Sequence, residues 1–347
     1  MPITLYYRKI YQMKKYYAIG LFILASALFA YHFYAAGNAE ENIDTSIQEI
    51  TARLNPPLSV SYSNVEVSPF SGDIRFRDLN IIRDQDIRRA RSVRFDFSYF
   101  DFLNISLFGP EYGLKRISSG DIIFSRLSFT NRANLTEIKV DSLTANYSGD
   151  LWKLLRIGFK DTTTVSGHNL RATGTQFTFS RPGDFGIIKA DTVLLDNSLR
   201  VQPKGESLSG SVSLQRLTWN PPASFGDRYR FFIQGFGYQA DSIPFREAEV
   251  KFNYGSQTNL LSIQDMSLSS ELFTGSLAGD LQIDSVSFSD SSIEDASIQF
   301  SNLAPQLQNF LFNAEKLFGV TIPIADSTLS MSLSGTVNDP KIRLAGN

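Results

Sequence analysis

Residues Tyr16 to Ala39 contain no Asp, Glu, Lys or Arg, and from Ala18 to Ala30 the run is almost wholly apolar. No other feature restricts the chain as much. A helix needs about 20 apolar residues to cross the hydrocarbon core of a bilayer, which predicts a transmembrane helix over residues 16–36. Tyr16, Tyr17, Tyr31 and Tyr34 stand near its ends, where amphipathic rings settle at headgroup level. Arg8, Lys9, Lys14 and Lys15 precede it, while Glu40, Glu41, Asp44 and Glu49 follow with no base before Arg53. By the positive-inside rule residues 1–15 form a cytoplasmic tail and about 310 residues lie across the membrane. A cleaved signal peptide is the competing reading, with Ala35-Ala36-Gly37 as the small-residue site. Both readings export the body of the chain.

The body is a candidate β protein. Hydrophobic residues make up 42% of the 347, with 28 Phe, which is the wrong composition for disorder. Cysteine is absent, which excludes disulfides, thiolate metal sites and a Cys nucleophile. A net charge of −2 leaves no electrostatic footprint for nucleic acid.

Ile43, Ile47, Ile50 and Leu54 recur at spacings of four, three and four, predicting an amphipathic helix over 39–54 that Asn55-Pro56-Pro57 stops. From residue 58 to 347 the dominant period is two. Leu58, Val60 and Tyr62 alternate with serines, as do Leu329, Met331 and Leu333, and Phe95, Phe97 and Tyr99 alternate with polar residues. Segments of about 8 to 12 residues between Gly, Asn, Asp or Pro predict consecutive antiparallel strands, since few helical crossovers are on hand.

A repeat stands out of this background. Gly72, Gly120, Gly210 and Gly279 are each followed by apolar residues two, four, seven and nine places on. The inward members of the first pair are Ile74 and Phe76, Ile122 and Phe124, Val212 and Leu214, and Leu281 and Ile283. Parity changes between the second and third apolar places, so a flat strand would turn the last two to the other face. One extra residue taken up as a β-bulge would return all four to one side and bend the strand.

Three segments break the pattern. Residues 150–157, with Leu151, Trp152, Leu154 and Leu155, fit either a short helix or an apolar strand. Asn220-Pro221-Pro222 predicts a loop and a flex point at 220–223. Pro305 followed by Leu307, Phe310, Leu311, Ala314, Leu317 and Phe318, then Gly319, predicts an amphipathic helix with a glycine stop.

Catalytic motifs are missing. His32 lies in the apolar run, and His168, in Ser-Gly-His-Asn, reads as a surface turn. Gly235-Phe236-Gly237-Tyr238-Gln239-Ala240 has the letters of a dinucleotide fingerprint, but Pro244 follows where a helix should open. No catalytic residue, metal ligand or cofactor is assigned, and the chain reads as a non-enzyme. Arg83, Arg88, Arg89, Arg91 and Arg94 form a cluster with Asp84 and Asp86 interspersed, either as a solvated hairpin end or as contacts for anionic headgroups or a partner protein.

An anchor oriented cytoplasm-in, a Ser-rich antiparallel body, strands of the type Gly72-Asp73-Ile74-Arg75-Phe76, and the ending Gly335-Thr336-Val337-Asn338-Asp339-Pro340 together resemble the AsmA-like family of bacterial envelope proteins. The type II secretion GspN family is similar in size and pattern. The resemblance is closest over residues 272–344. It implies a single-pass inner-membrane protein with a periplasmic body, an elongated, curled antiparallel sheet (a β-taco) with flanking amphipathic helices, and an apolar groove for lipid acyl chains. The function it implies is lipid binding or transfer in outer-membrane biogenesis or lipid homeostasis. Its partners would be membrane lipid, the inner membrane and envelope or secretion-system proteins. The alternative is a docking subunit of a type II secretion-like apparatus. The groove residues expected are Ile74, Phe76, Ile122, Phe124, Val212, Leu214, Leu281 and Ile283, with Arg83, Arg88, Arg89 and Arg91 as headgroup or partner contacts.

Overall fold

Strands that alternate apolar and polar residues need hydrogen-bond partners on both flanks, and this chain supplies them in the order in which it is written. In the computed structural model the strands form one antiparallel sheet whose neighbours in space are nearly always neighbours in sequence. The structure describes residues 3–53, 59–68, 70–96, 98–108, 112, 117–150, 166–183, 185–202, 205–235, 238–239, 241–284, 290–319, 321–337 and 339–344, with the side chains of 3–21 and a few scattered ones outside the described set.

Helix α1 spans Ile3–Arg53 without interruption, so the two helices expected over 16–36 and 39–54 are one. Among the described residues no helix is long and apolar enough to cross a membrane. The side chains of residues 16–21, the start of the expected span, fall outside that set. Strands β1 (Ser59–Ser61) and β2 (Asn64–Val67) both pair with β3 (Ile74–Arg83), and β4 (Asp86–Asp96) follows as its hairpin partner. Helix α2 (Tyr99–Phe108) comes next. Its first residue is Tyr99, which the alternation had assigned to a strand. Ser98 explains the difference: its hydroxyl accepts from the Asp101 N–H at 3.2 Å and donates to the Asp101 carboxylate at 2.6 Å, a helix-starting cap that outweighs a short alternating run.

The centre of the sheet is a meander of long strands: β5 (Ser119–Asn131), β6 (Thr136–Gly149), β7 (Ser166–Arg181), β8 (Gly186–Gln202), β9 (Gly205–Asn220) and β10 (Ile243–Gly255). They exceed the expected 8 to 12 residues, running to 17 in β8. Pro221 and Pro222 form only the joint between β9 and helix α3 (Ala223–Gly235), and the sheet continues past them, β9 pairing with both β8 and β10. The remaining strands are β11 (Leu260–Ser269), β12 (Thr274–Gln282), β13 (Ser292–Ser301), β14 (Ile324–Ala325), β15 (Thr328–Thr336) and β16 (Pro340–Leu344). Helix α4 (Pro305–Phe318) starts on its proline and stops on Gly319, whose φ of 64° and N–H to the Glu315 carbonyl (2.9 Å) close the last turn. Leu317, expected on its buried face, is exposed. Residues 151–165 and Val286 and Phe288 of the fourth repeat lie outside the described residues.

The repeat has a physical basis other than the bulge that parity suggested. In three copies the residue six places after the glycine, Asp78, Arg126 or Arg216, has a left-handed backbone (φ 51°, 49° and 50°). Gln176 in β7 does the same (φ 54°), where Ala172, Gly174, Phe177 and Phe179 form a further copy that opens on Leu170 in place of glycine. One left-handed residue lets two successive side chains, such as Arg77 and Asp78, face the same way. The third and fourth apolar residues then rejoin the first two. Cross-strand register is unchanged through the kink: Arg77 pairs with Ser92 and Leu79 with Ala90, leaving Asp78 opposite Arg91 unbridged. Register shifts of the bulge kind occur only in pairings from β10 onward.

Both edges are blunted in the same manner. Two short strands, β1 and β2, share the outer side of β3, and two others, β14 and β16, share that of β15. Short edge strands offer little template for a foreign strand.

Candidate functional site

Register places the apolar residues of successive strands directly opposite one another. One row runs Ile74, Phe95, Ile122, Ala145, Ala172, Leu195, Val212, Val250, Met266, Leu277, Ile298 and Met331. The next runs Phe76, Val93, Phe124, Leu143, Gly174, Val193, Leu214, Ala248, Leu268, Gly275, Phe300 and Leu329. Neither contains a polar side chain. At about 4.8 Å per strand these rows are about 50 Å long.

Helices cover the two ends of this face, and along its middle the small residues Ala145, Ala172 and Val193 are themselves buried (2%, 5% and 3% exposed) while the larger ones are half-buried. Ala35, Ala36, Ala39 and Ile43 of α1, with Phe102 and Ile105 of α2, form one buried cluster with Ile74 and Phe76. Small alanines let the helix backbone come close to the sheet. Glu40 accepts from the Val67 N–H at 2.8 Å, Asp44 accepts from the Tyr62 hydroxyl, and Ser106 donates to the Ala35 carbonyl at 2.8 Å, fixing α1 along β1 and β2. Burial, and then the Asp44 carboxylate, push the Tyr62 phenol up to about 12. At the other end Leu307 of α4 is buried with Leu272 and Leu303, and Leu311, Phe300 and Leu329 pack around them. Between β5 and β12 neither buried cluster reaches the face.

The expected groove residues therefore divide. Ile74 and Phe76 are core residues under α1. Ile122, Phe124, Val212, Leu214 and Leu281 lie half-buried on the apolar face of the middle strands, Met266 is 37% exposed beside them, and Ile283 follows the end of β12, where its N–H donates to the Asn259 carbonyl at 2.8 Å. The arginines divide as well. Arg88 is on the apolar face with Ile81 and Phe129, its guanidinium 5.9 Å from the Phe129 ring centre, whereas Arg89 bonds Asn80 at 3.4 Å on the opposite face and Arg91 stands opposite Asp78. Arg83 ends the hairpin, across from Asp86. They do not form one basic surface.

His168 is not on a surface turn. It lies on β7, 3% exposed, with its Nδ1 2.8 Å from the Tyr147 hydroxyl and the two rings stacked. Burial, and then the charge of Asp150, push the Tyr147 phenol up to about 12. Sequence reasoning missed the pair because Ser-Gly-His-Asn has turn composition while Tyr147 comes 21 residues earlier; alternation from Leu170 back to His168 was the available signal.

A separate polar hollow of about 380 Å³ opens beside the start of α2, lined by Asp96, Ser98, Asp101, Ser119, Asp121 and Asn146 among others. Burial raises the Asp96 pKa, and the neighbouring Asp73 and Asp121 charges raise it further against the pull of Arg94. Arg94 pairs with both, closer to Asp73, at 2.5 Å, than to Asp96, at 3.6 Å. Among the described residues no group of His, Cys, Asp or Glu is arranged to hold a metal ion.

No protein family, curated protein or solved structure matches the chain.

Proposed function

We propose that this chain is a membrane-anchored protein that holds or passes lipid acyl chains along the uncovered part of its apolar face. The observation that carries the reading is the pair of polar-free rows across twelve strands, with α1 and α2 packed on one end, α4 on the other, and neither cluster reaching between β5 and β12. Apolar surface of that length needs an occupant, and a sheet with no second layer finds it in its own curvature, in lipid, or in both. The left-handed residues support curvature: each adds an outward-facing side chain on one line across the sheet, lengthening the polar face relative to the apolar one and bending the sheet into a groove. The anchor is the apolar half of α1. Phe22, Ile23, Leu24, Leu28 and Phe29 are each more than half exposed, on every side of the helix, which suits hydrocarbon better than water. The acyl chain class is all that the face selects, and the headgroup stays in solvent.

A photo-crosslinking benzophenone amino acid placed at Leu214 or Val250 of the full chain, expressed in cells, tests the reading. Crosslinks to phospholipid are expected at both positions and not at Leu194 of the neighbouring strand β8, which points out of the opposite face. Lipid adducts absent from Leu214 and Val250, or equally abundant at Leu194, overturn it.

A further inference from the structure

Helix α2 is apolar on both faces. Phe102 and Ile105 face inward and are buried against α1, while Phe100, Leu107 and Phe108 point away and are 76%, 54% and 63% exposed. Positions 100, 107 and 108 lie on one side of the helix, with the uncharged, half-buried Asn104 between them. Asp101 is the only charge in the helix, and it is turned back to the Ser98 cap. Phe70, in the turn between β2 and β3, is 54% exposed and packs its ring on Phe29 and Phe33 of α1, 5.1 and 6.0 Å between centres. Tyr99 bonds His32 one turn along the same helix. The stripe of α2 and the Phe70 turn thus join the exposed apolar surface of α1 at residues 29–33.

We infer that α2 and the Phe70 turn form a collar that sits in the near leaflet of the bilayer and sets the height and tilt at which the body, itself docked rigidly on α1, stands on the membrane. This rests on the anchor proposed above and goes beyond it, since a bare spanning helix leaves height and tilt free. Continuity with the spanning surface identifies the occupant as lipid. Length agrees. From Lys15, the last base before the apolar run, to Phe29 and Phe33 are 14 and 18 residues, about 21 to 27 Å of helix. The hydrocarbon core is about 30 Å thick, so the collar falls at its far boundary, where short amphipathic or apolar helices lie flat. The arginines of the β3–β4 hairpin take no part: from Ile74 to Arg83 the strand runs about 30 Å away from the collar.

The chain has no cysteine, so Phe22→Cys, Phe100→Cys, Phe108→Cys and Thr173→Cys each accept a single environment-sensitive fluorophore. The labelled full chain is reconstituted in phosphatidylcholine–phosphatidylglycerol vesicles carrying a nitroxide either near the headgroup or near the chain ends. Labels at 100 and 108 are expected to lose emission several-fold to the shallow nitroxide and less to the deep one. The label at 22 should reverse that order, and the one at 173, on the polar face of β7, should respond to neither. Quenching at 22 with none at 100 and 108 overturns the collar and leaves the anchor standing, with α2 then facing water, a protein or a second copy. No quenching at any position overturns both.

Discussion

Single residues set the geometry of this sheet, and they are not the ones that composition would nominate. A left-handed backbone costs an L-residue about 1–2 kcal/mol, and glycine or asparagine is the usual occupant. Here Asp78, Arg126, Gln176 and Arg216 hold it. Arg126→Gly is therefore expected to stabilise, by about 1 kcal/mol, and Arg126→Val to destabilise by about 1–2 kcal/mol, both read from urea melts. A flat effect for both would mean that the kink is not held in solution. Asp96 makes a second, pH-dependent prediction. A carboxyl whose pKa is raised by folding favours its neutral form, so it stabilises the fold at low pH and that contribution is lost as pH rises through the raised value. Asp96→Asn should raise the urea midpoint near neutral pH, and the gain should fade as pH falls through the raised value and the wild-type group takes up its own proton. A gain that persists at low pH would assign the effect to something other than charge. Of these residue-scale features only the parity change was legible. The two-four-seven-nine spacing announced that each strand changes face, but Asp, Arg and Gln carry no left-handed signature, so a bulge and a kink were indistinguishable until register was known.

Among the elements, period and punctuation decided what could be read. The helix at Pro305 was legible because proline, a 3.6 pattern and a glycine stop coincide. Its buried side was not fully so, since Leu317 shares the pattern yet is 74% exposed. Helix α2 was hidden: Phe95, Phe97 and Tyr99 alternate as a strand would, and one Ser98–Asp101 cap turns the chain. Helix α3 was hidden behind the expectation that Pro221 and Pro222 end in loop, although proline is at home just ahead of a first turn. What each helix covers depends on where it docks, which no local pattern contains. Leu307 is the test of that docking for α4. Leu307→Ala should cost about 2–4 kcal/mol in thermal or urea unfolding, as for a buried leucine elsewhere, and should expose Phe300 and Leu329 to a hydrophobic dye. A cost near zero with no added dye binding would show that α4 does not roof the last strands.

For the molecule as a whole, the antiparallel meander and the one-sided apolar pattern were legible in the chain, while the division of that apolar surface into ends packed under helices and a middle that neither cluster reaches was not. Ile74 and Phe76 look like Ile122 and Phe124 by every local measure, and only the return of α1 over β3 and β4 separates them. The recurrence of the left-handed residue on alternate strands, β3, β5, β7 and β9, has one more consequence. The smallest portion of this protein that can be gained or lost is a hairpin. Removing one strand would reverse the direction of all that follow and hand each capped edge the wrong neighbour. Removing two would only shorten the body, by about 10 Å. Capacity can thus change in fixed steps during descent, with anchor and terminal roof untouched.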